Sequence, residues 1–459
     1  MADGVLSNVV GDIITKLGSR ALHEIGLWWG VKGELKKLEA TVSSIRNVLL
    51  DAEEQQKLNR QVKGWLERLE EVVYDADDLV DDFATEALRR RVMTGNRMTK
   101  ELTSLQTLSL FVVAKGHISS KDVEKINELN KLKNLRGRLE IINLGCVDNE
   151  IVNVNMKEKP VLQSLELRCE ESWEDSNVDR DEMAFQNLQP HPNLKELRVL
   201  GNGGRRFPSW FSSLTNLVYL CIRNCNRYQH LPPMDQIPSL QYLHIREVDD
   251  LEYIEIEGQA TSFFPSLRVL VLYGCPKLKG LQKKKDDSTA LELLQFPCLS
   301  YFVCRDCPNL NSIPQFPSLD HSLYLHCASP QLVHQIFTPS ISSSSSIIPP
   351  LSKLKILQIT DIEELESLPP DGLWNLTCLQ RLTIQICPAI KCLPQEMRSL
   401  TSLRELNIND RPQLKERCGN RKGADWAFIS HIPNIEVDDQ RIQREGRYLL
   451  DDEASINEG

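Results

Sequence analysis

The stretch LVYLCIRNCNRYQHLPPMDQIPSLQYLHIREV, residues 217–248, states one short phrase twice. Leu217, Leu220 and Ile222 take the first, fourth and sixth places of one copy, and Leu240, Leu243 and Ile245 repeat them. Apolar residues at alternate places predict a short strand with one buried face. Working outward, the phrase returns at Leu162, Leu194, Leu267, Leu299, Leu354, Leu379 and Leu403, with the intervals 194–217, 217–240, 354–379 and 379–403 all 23–25 residues. A period of this length is one structural unit that cannot bury its leucine face alone, so stacked neighbours must supply the core. The ninth place is Asn202, Cys225, Cys275, Cys307 or Cys387 in five copies, a small polar or thiol side chain tucked under the turn. The chain has thirteen cysteines, an odd number, with none before Cys146. Their placement predicts core thiols rather than a disulfide framework. Cys304-x-x-Cys307, with Cys298 nearby, offers half a zinc site at best, because a structural site needs four ligands.

These are leucine-rich repeats, nine good copies of them, and they predict an irregular solenoid over residues 99–440. The Lys-rich loop at 283–287 and TPSISSSSSIIPP at 338–350 read as surface inserts, and 441–459 as a polar C-terminal tail. The residue just past the sixth place points to the concave side of such a horseshoe. Arg168, Arg223, Arg246 and Arg305 stand there and predict an arginine ladder, interrupted by Leu200 and Tyr273. Arg198, His244, Tyr273, Gln358, Thr383, Gln385, Asn407 and Asn409 extend the expected recognition face. Mixed polar and aromatic groups on a rigid sheet suit protein recognition.

Upstream the period changes. Leu6, Val9, Ile13, Leu17 and Leu22 recur at helical spacing; Leu35, Leu38, Val42, Ile45, Leu49 and Ala52 do so again. A third series runs Val62, Leu66, Leu69, Val73, Ala76, Val80, Phe83 and Ala87. Three helices with such seams and short links predict a compact antiparallel bundle over residues 1–98. The fold class expected is therefore α+β and multidomain, a helical bundle followed by a repeat solenoid.

Composition bounds the function. The chain has 459 residues, 41 % hydrophobic and 26 % charged, with 54 Lys+Arg against 64 Asp+Glu and a net charge of −10. A sequence-independent nucleic-acid binder needs a cationic surface, so nucleic acid is not the expected partner. No run of about 18 uncharged apolar residues occurs, so no stable membrane span is expected. Asp3 and Asp12 interrupt any secretory pattern, and Ala2 excludes N-myristoylation. No Ser/His/Asp set or H-E-x-x-H motif can be assembled, so the expectation is a non-enzymatic protein without a metal.

The helical segment resembles the Rx-type coiled-coil domain of plant intracellular immune receptors, the nucleotide-binding leucine-rich-repeat disease resistance proteins (RGA-like). LLDAEEQQ (49–56), VKGWLERL (62–69) and VYDADDLVDDF (73–83) carry the likeness. Asp77, Asp78, Leu79, Val80 and Asp81 stand where the family has its acidic EDVID motif. LTSLQTLSLFVV (102–113) and LNKLKNLRGRLEIINL (129–144) resemble the same receptors' repeats. The family binds ADP and ATP through an NB-ARC ATPase lying between these two parts. Its phosphate loop, G-x-x-x-x-G-K-[ST], needs a glycine followed by lysine, and none of the 22 glycines here is. No nucleotide cofactor is therefore expected.

The resemblance implies a cytoplasmic plant defence protein, peripheral to the plasma membrane at most, and acting by protein–protein interaction. Its partners would be a host guardee, a pathogen effector or another such receptor, with self-association through the helices. It also implies docking of the acidic motif on part of the arginine ladder. Two alternatives stand beside this: a truncated gene model of a full ATP/ADP-switch receptor, and a repeat scaffold or adaptor with no immune role.

Overall fold

In a computed structural model the chain divides into two units, Met1–Thr103 and Ser104–Gly459. The structure describes residues 10, 13–14, 37, 40–45 and 48–49 of the first. Of the second it describes 105–112, 129–143, 156–169, 178–231, 237–256, 264–283, 296–314, 316, 319–337, 351–409 and 412–449. All described positions of the first unit are helical. Ile13 and Leu49, both on the expected seams, are buried, as is Val10. Thr41 and Ser44 lie on the outer side, where their hydroxyls donate back to the carbonyls of Lys37 and Ala40. Asp77, Asp78, Leu79, Val80 and Asp81 lie outside the described residues, as does the insert at 338–350.

The second unit is built on one long sheet. Its strands are β1 (Leu110–Val112), β2 (Gly137–Ile142), β3 (Leu162–Arg168), β4 (Glu196–Leu200), β5 (Tyr219–Arg223), β7 (Tyr242–Arg246), β9 (Val269–Tyr273) and β11 (Tyr301–Cys307). It continues through β12 (Ser322–Ala328), β13 (Ile356–Thr360), β14 (Arg381–Gln385), β15 (Glu405–Asn409) and β16 (Asn434–Val437), every neighbour parallel. The strands omitted from this order, β6 (His230–Leu231), β8 (Tyr253–Ile256) and β10 (Gly280–Lys283), form a separate parallel sheet on the return legs.

Each repeat enters and leaves its strand in the same way. An L-x-x-L turn closes the entry: the Leu217 amide donates to the Leu214 carbonyl at 3.1 Å, and Leu379 does so to Leu376 at 3.2 Å. The fourth and sixth places then point into the core, where Leu220, Ile222, Leu243, Ile245, Leu382 and Ile384 are fully buried. The eighth place turns the chain away in the left-handed region, as at Gly201, Asn224, Glu247, Gly274, Asp306, Asp361 and Ile386. Its amide still pairs with the next strand, as from Asn224 to the Arg246 carbonyl at 3.1 Å. The cysteine at the ninth place then drops into the core and its thiol donates backwards: Cys225 Sγ lies 3.2 Å from the Arg223 carbonyl and Cys387 Sγ 3.2 Å from that of Gln385. Burial pushes the Cys225 thiol up to about 12, so it stays protonated. The twelve cysteines among the described residues are all free thiols.

Ile386 is the odd member of the turn series, a β-branched side chain at φ +50° that is 43 % exposed. Left-handed backbone costs such a residue roughly 1–2 kcal/mol, and asparagine pays less. Ile386→Asn is expected to stabilise the chain by about 1 kcal/mol in urea unfolding; an unchanged or lower midpoint would contradict this reading of the turn.

Three features depart from the sequence reading. β12 is an additional repeat strand, concealed because three residues rather than two separate Leu319 from Leu323, so the L-x-x-L frame is lost. β16 is another, with Ile432, Ile435 and Val437 in place of leucines and all buried. The tail expected from 441 is not one over its first half. β17 (Gln440–Arg444) and β18 (Arg447–Tyr448) fold back antiparallel on β16 and end the sheet. Two adjacent residues hold it: Ile442 is buried at 1 % exposure, and the Gln443 side chain, also buried, donates to the carbonyls of Ser430 and Ile432. A polar composition concealed a closing hairpin.

Candidate protein-recognition face

The strand register lines up the outward places of successive repeats in three rows. The seventh-place row contains Arg168, Leu200, Arg223, Arg246, Tyr273, Arg305, His326, Thr360, Gln385 and Asn409 in adjacent strands. Arg168, Arg223, Arg246 and Arg305 thus share one row, broken where expected. The fifth-place row holds Glu166, Arg198, Cys221, His244, Val271, Val303, Tyr324, Gln358, Thr383 and Asn407. Every recognition residue singled out from sequence falls in one of these two rows.

The third-place row, which the sequence reading leaves out, carries three further tyrosines. Tyr219 and Tyr242 are cross-strand neighbours with ring centroids 6.3 Å apart, and Tyr301 lies one strand beyond Val269. Tyr301 packs 5.5 Å from Tyr324. The signal was present in the alternation: Leu217-x-Tyr219-Leu220, Leu240-x-Tyr242-Leu243 and Leu299-x-Tyr301-Phe302 place tyrosine two residues before the fifth place, hence on the same face.

The charges are arranged unevenly along the sheet. At the β2–β4 end they neutralise one another. Glu166, 2 % exposed, accepts from Arg138 at 2.7 Å and from Arg168 at 2.9 Å, and Arg168 lies 3.4 Å from Glu140. Arg198 pairs with Glu196 at 2.8 Å and lies over the Tyr219 ring at 4.9 Å. Arg223 reaches Glu247 at 3.1 Å, and Arg305 sits 3.6 Å from Asp306 and 5.4 Å over the Tyr273 ring. Arg246 differs from these, since its Nε is buried and meets no acceptor. The arginine row is real in register, but three of its four members already have an acid of their own repeats.

Around Arg246 sits an aromatic cluster whose protonation is settled. The Tyr219 hydroxyl and His244 Nδ1 are 3.3 Å apart, with ring centroids at 5.2 Å. Burial, followed by the Arg246 and Arg198 charges, pushes His244 down to about 4, so the ring is neutral at pH 7. Burial pushes the Tyr219 hydroxyl up to about 12 and raises the Cys221 thiol. His244, Tyr219 and Cys221 are therefore all uncharged at neutral pH. A histidine held neutral in the fold but free to charge when unfolded costs stability as pH falls from about 6.5 towards about 4, because the unfolded chain then binds the extra proton. His244→Gln should flatten that acid limb in melting curves taken between those values; an unchanged limb would place the cause elsewhere.

The far end of the sheet is an amide-rich strip of Gln358, Thr383, Gln385, Asn407 and Asn409, crossed by an Arg381–Glu405 pair at 2.5 Å. The cysteines of the half zinc motif do not converge on an open site. Cys304 and Cys307 are fully buried core thiols and Cys298 is exposed. Hydrogen bonding to Cys307 and burial hold the Cys304 thiol well above its usual range. Among the described residues no group of three His, Cys, Asp or Glu side chains could hold a metal ion, and no helix is long and apolar enough to cross a membrane.

Residues 9–124 match the Rx N-terminal domain family, and residues 126–248 match the R13L1/DRL21 leucine-rich repeats. The disease resistance protein RGA2 of Solanum bulbocastanum is 31 % identical over 397 residues, which cover 73 % of this chain and 36 % of RGA2. The chain thus spans little more than a third of the length of that relative. Among solved structures, the Toll–Spatzle complex of Drosophila is similar over 75 % of this chain and 52 % of that one, at 13 % identity and a TM-score of 0.35. InlJ of Listeria monocytogenes is similar over 74 % and 64 %, at 14 % identity and a TM-score of 0.34.

Proposed function

Because the chain belongs with the plant disease resistance proteins that join an Rx N-terminal domain to leucine-rich repeats, we propose that it serves plant defence as a non-enzymatic protein-interaction module. The observation that carries this is the Tyr219–Tyr242–His244 cluster around Arg246 on the side of the sheet opposite the leucine core, with Tyr242 exposed and the other three half-buried. Tyrosine and arginine dominate the energetics of protein interfaces, and this cluster holds both on rigid strands. On this reading the sheet is the concave wall of an irregular horseshoe and takes a host guardee, a pathogen effector or another receptor. The N-terminal helices form a bundle that signals or docks, in the cytoplasm or at the inner face of the plasma membrane, and neither part takes a nucleotide cofactor.

Expression in leaf tissue tests the reading. Residues 1–98 alone should trigger cell death while the whole chain stays silent, because the repeats then restrain the helices until a partner engages them. Silence from both forms, with no change in resistance on loss of the gene, would remove the defence role. A second reading has an observation of its own: RGA2 is much longer than this chain, so the working unit could include an ATPase segment. Sequencing of full-length transcripts separates the two, since a single species encoding a phosphate-binding loop supports the longer receptor.

A further inference from the structure

Arg246 stands apart in the arginine row because its neighbours in register carry no acid. Across the sheet it meets Arg223 on β5 and Tyr273 on β9. The outward places one step back hold Cys221, His244 and Val271. Glu247, next along the chain, is engaged by Arg223 at 3.1 Å. The Arg246 Nε is buried and meets no acceptor. A donor removed from water and left unpaired opposes folding, so a group that completes it is bound with that advantage.

Two further arginines lie close, and each is neutralised: Arg198 donates to Glu196 at 2.8 Å and Arg223 to Glu247. Among these described groups one positive charge is left over. Its field reaches its neighbours, since burial first and the Arg246 charge next keep the proton off His244. An apolar shelf adjoins it. Tyr219 and Tyr242 hold the third places of β5 and β7, with Tyr242 38 % exposed. Outward places along a strand step by roughly 6.7 Å, so the backbones of shelf and arginine stand about 13 Å apart, a span that about four residues of extended peptide cover.

A structural explanation competes: an arginine on a sheet face can simply hold its tip in water. That accounts for the outer nitrogens of a half-buried guanidinium, but not for the Nε, which is buried without an acceptor. Arg168 shows the contrasting arrangement, with Glu166 at 2.9 Å and Glu140 at 3.4 Å. A surplus of one charge matches a carboxylate better than a dianionic phosphate, and the two carboxylate oxygens suit the guanidinium fork. We propose that Arg246 receives the carboxylate of an exposed Asp or Glu of a protein partner, with an apolar side chain of the same segment against Tyr219 and Tyr242. The inference rests on the recognition reading above and adds the partner's chemistry to it.

Random dodecapeptides displayed on phage and selected against the full chain test this. The recovered peptides should share one acid, with an apolar residue within about four positions of it. The leading peptide, made synthetically, should bind about tenfold more weakly to Arg246→Gln and change little with Arg168→Gln. Replacing its acid by the amide should lose the same factor on the parent chain and almost nothing on Arg246→Gln, because both changes remove one contact. No binders, no shared acid, or an acid whose loss both chains feel equally overturns the proposal. If peptides lacking the acid still weaken with Tyr242→Ala, the recognition face stands and only its chemistry is wrong. Indifference to both Tyr242→Ala and Arg246→Gln removes the face as well. Binding that emerges only when Asp77→Asn, Asp78→Asn and Asp81→Asn are combined means that the chain's own acidic segment fills the place, which also overturns a partner carboxylate there.

Discussion

Replacing Asp425 with alanine is expected to cost the repeat unit about 2–4 kcal/mol, from the lost charge-assisted hydrogen bonds and a stranded buried amide, since its partner Arg417 is half-exposed and can be solvated. Its carboxylate is fully buried and has three donors: Arg417 Nε, Arg417 Nη2 and the backbone amide of Leu393 at 2.9 Å. Charge-assisted bidentate pairs are the stronger hydrogen bonds, and the Leu393 amide would be left buried without an acceptor. A loss at the lower end lowers the melting temperature by roughly 3–4 °C for a unit as large as Ser104–Gly459. Repeat proteins can lose an end before the whole, so hydrogen exchange over residues 412–449 is the sharper measurement. Asp425→Asn keeps one acceptor and should lose less, while Arg417→Ala leaves the buried charge uncompensated and should lose at least as much. A loss under about 1 kcal/mol for Asp425→Ala would mean that the pair stabilises nothing beyond itself.

Tyr242→Ala combined with Arg246→Ala should weaken partner binding by about a hundredfold or more, since interface anchors of these types are commonly worth 2 kcal/mol or more each. Tyr242, 38 % exposed, and Arg246 both point away from the leucine core, so the double variant should melt like the parent. Arg168→Ala is the informative companion. Its guanidinium is already committed to Glu166 and Glu140, so its removal should change affinity only a few-fold. The partner recovered by proximity labelling in leaf tissue provides the assay, read by surface plasmon resonance. Equal losses from Arg168→Ala and Arg246→Ala would show that the arginines act as a uniform field; no loss from Tyr242/Arg246 would move recognition to another part of the sheet.

Much of this molecule is legible without coordinates. The alternation in Leu217–Arg223 names the core residues and the outward residues alike, because a strand repeats every two residues and only one face can be buried. That is why the arginine row, with its breaks at Leu200 and Tyr273, can be read from spacing alone. The ninth-place cysteines are equally legible, since one turn geometry recurs in every unit. The tyrosine row was there to be read too, by extending the same alternation two residues back.

What tertiary structure alone decided is which outward residues meet. Some arginines pair within their own strand, as Arg198 does with Glu196, but Arg138 and Arg223 pair with acids that other repeats bring across the sheet. Glu166 disarms Arg138 from the strand before it, while Arg246 finds no such acid. Asp425 looks like an ordinary loop acid until the fold brings Leu393, 32 residues away, within 2.9 Å. β12 was concealed by one additional residue, and the closing hairpin by its polar composition. Local periodicity fixes each strand and its two faces, because those follow from one chain's own dihedral repeat. Charge balance and cavities arise between strands, where distance in space has no relation to distance along the chain.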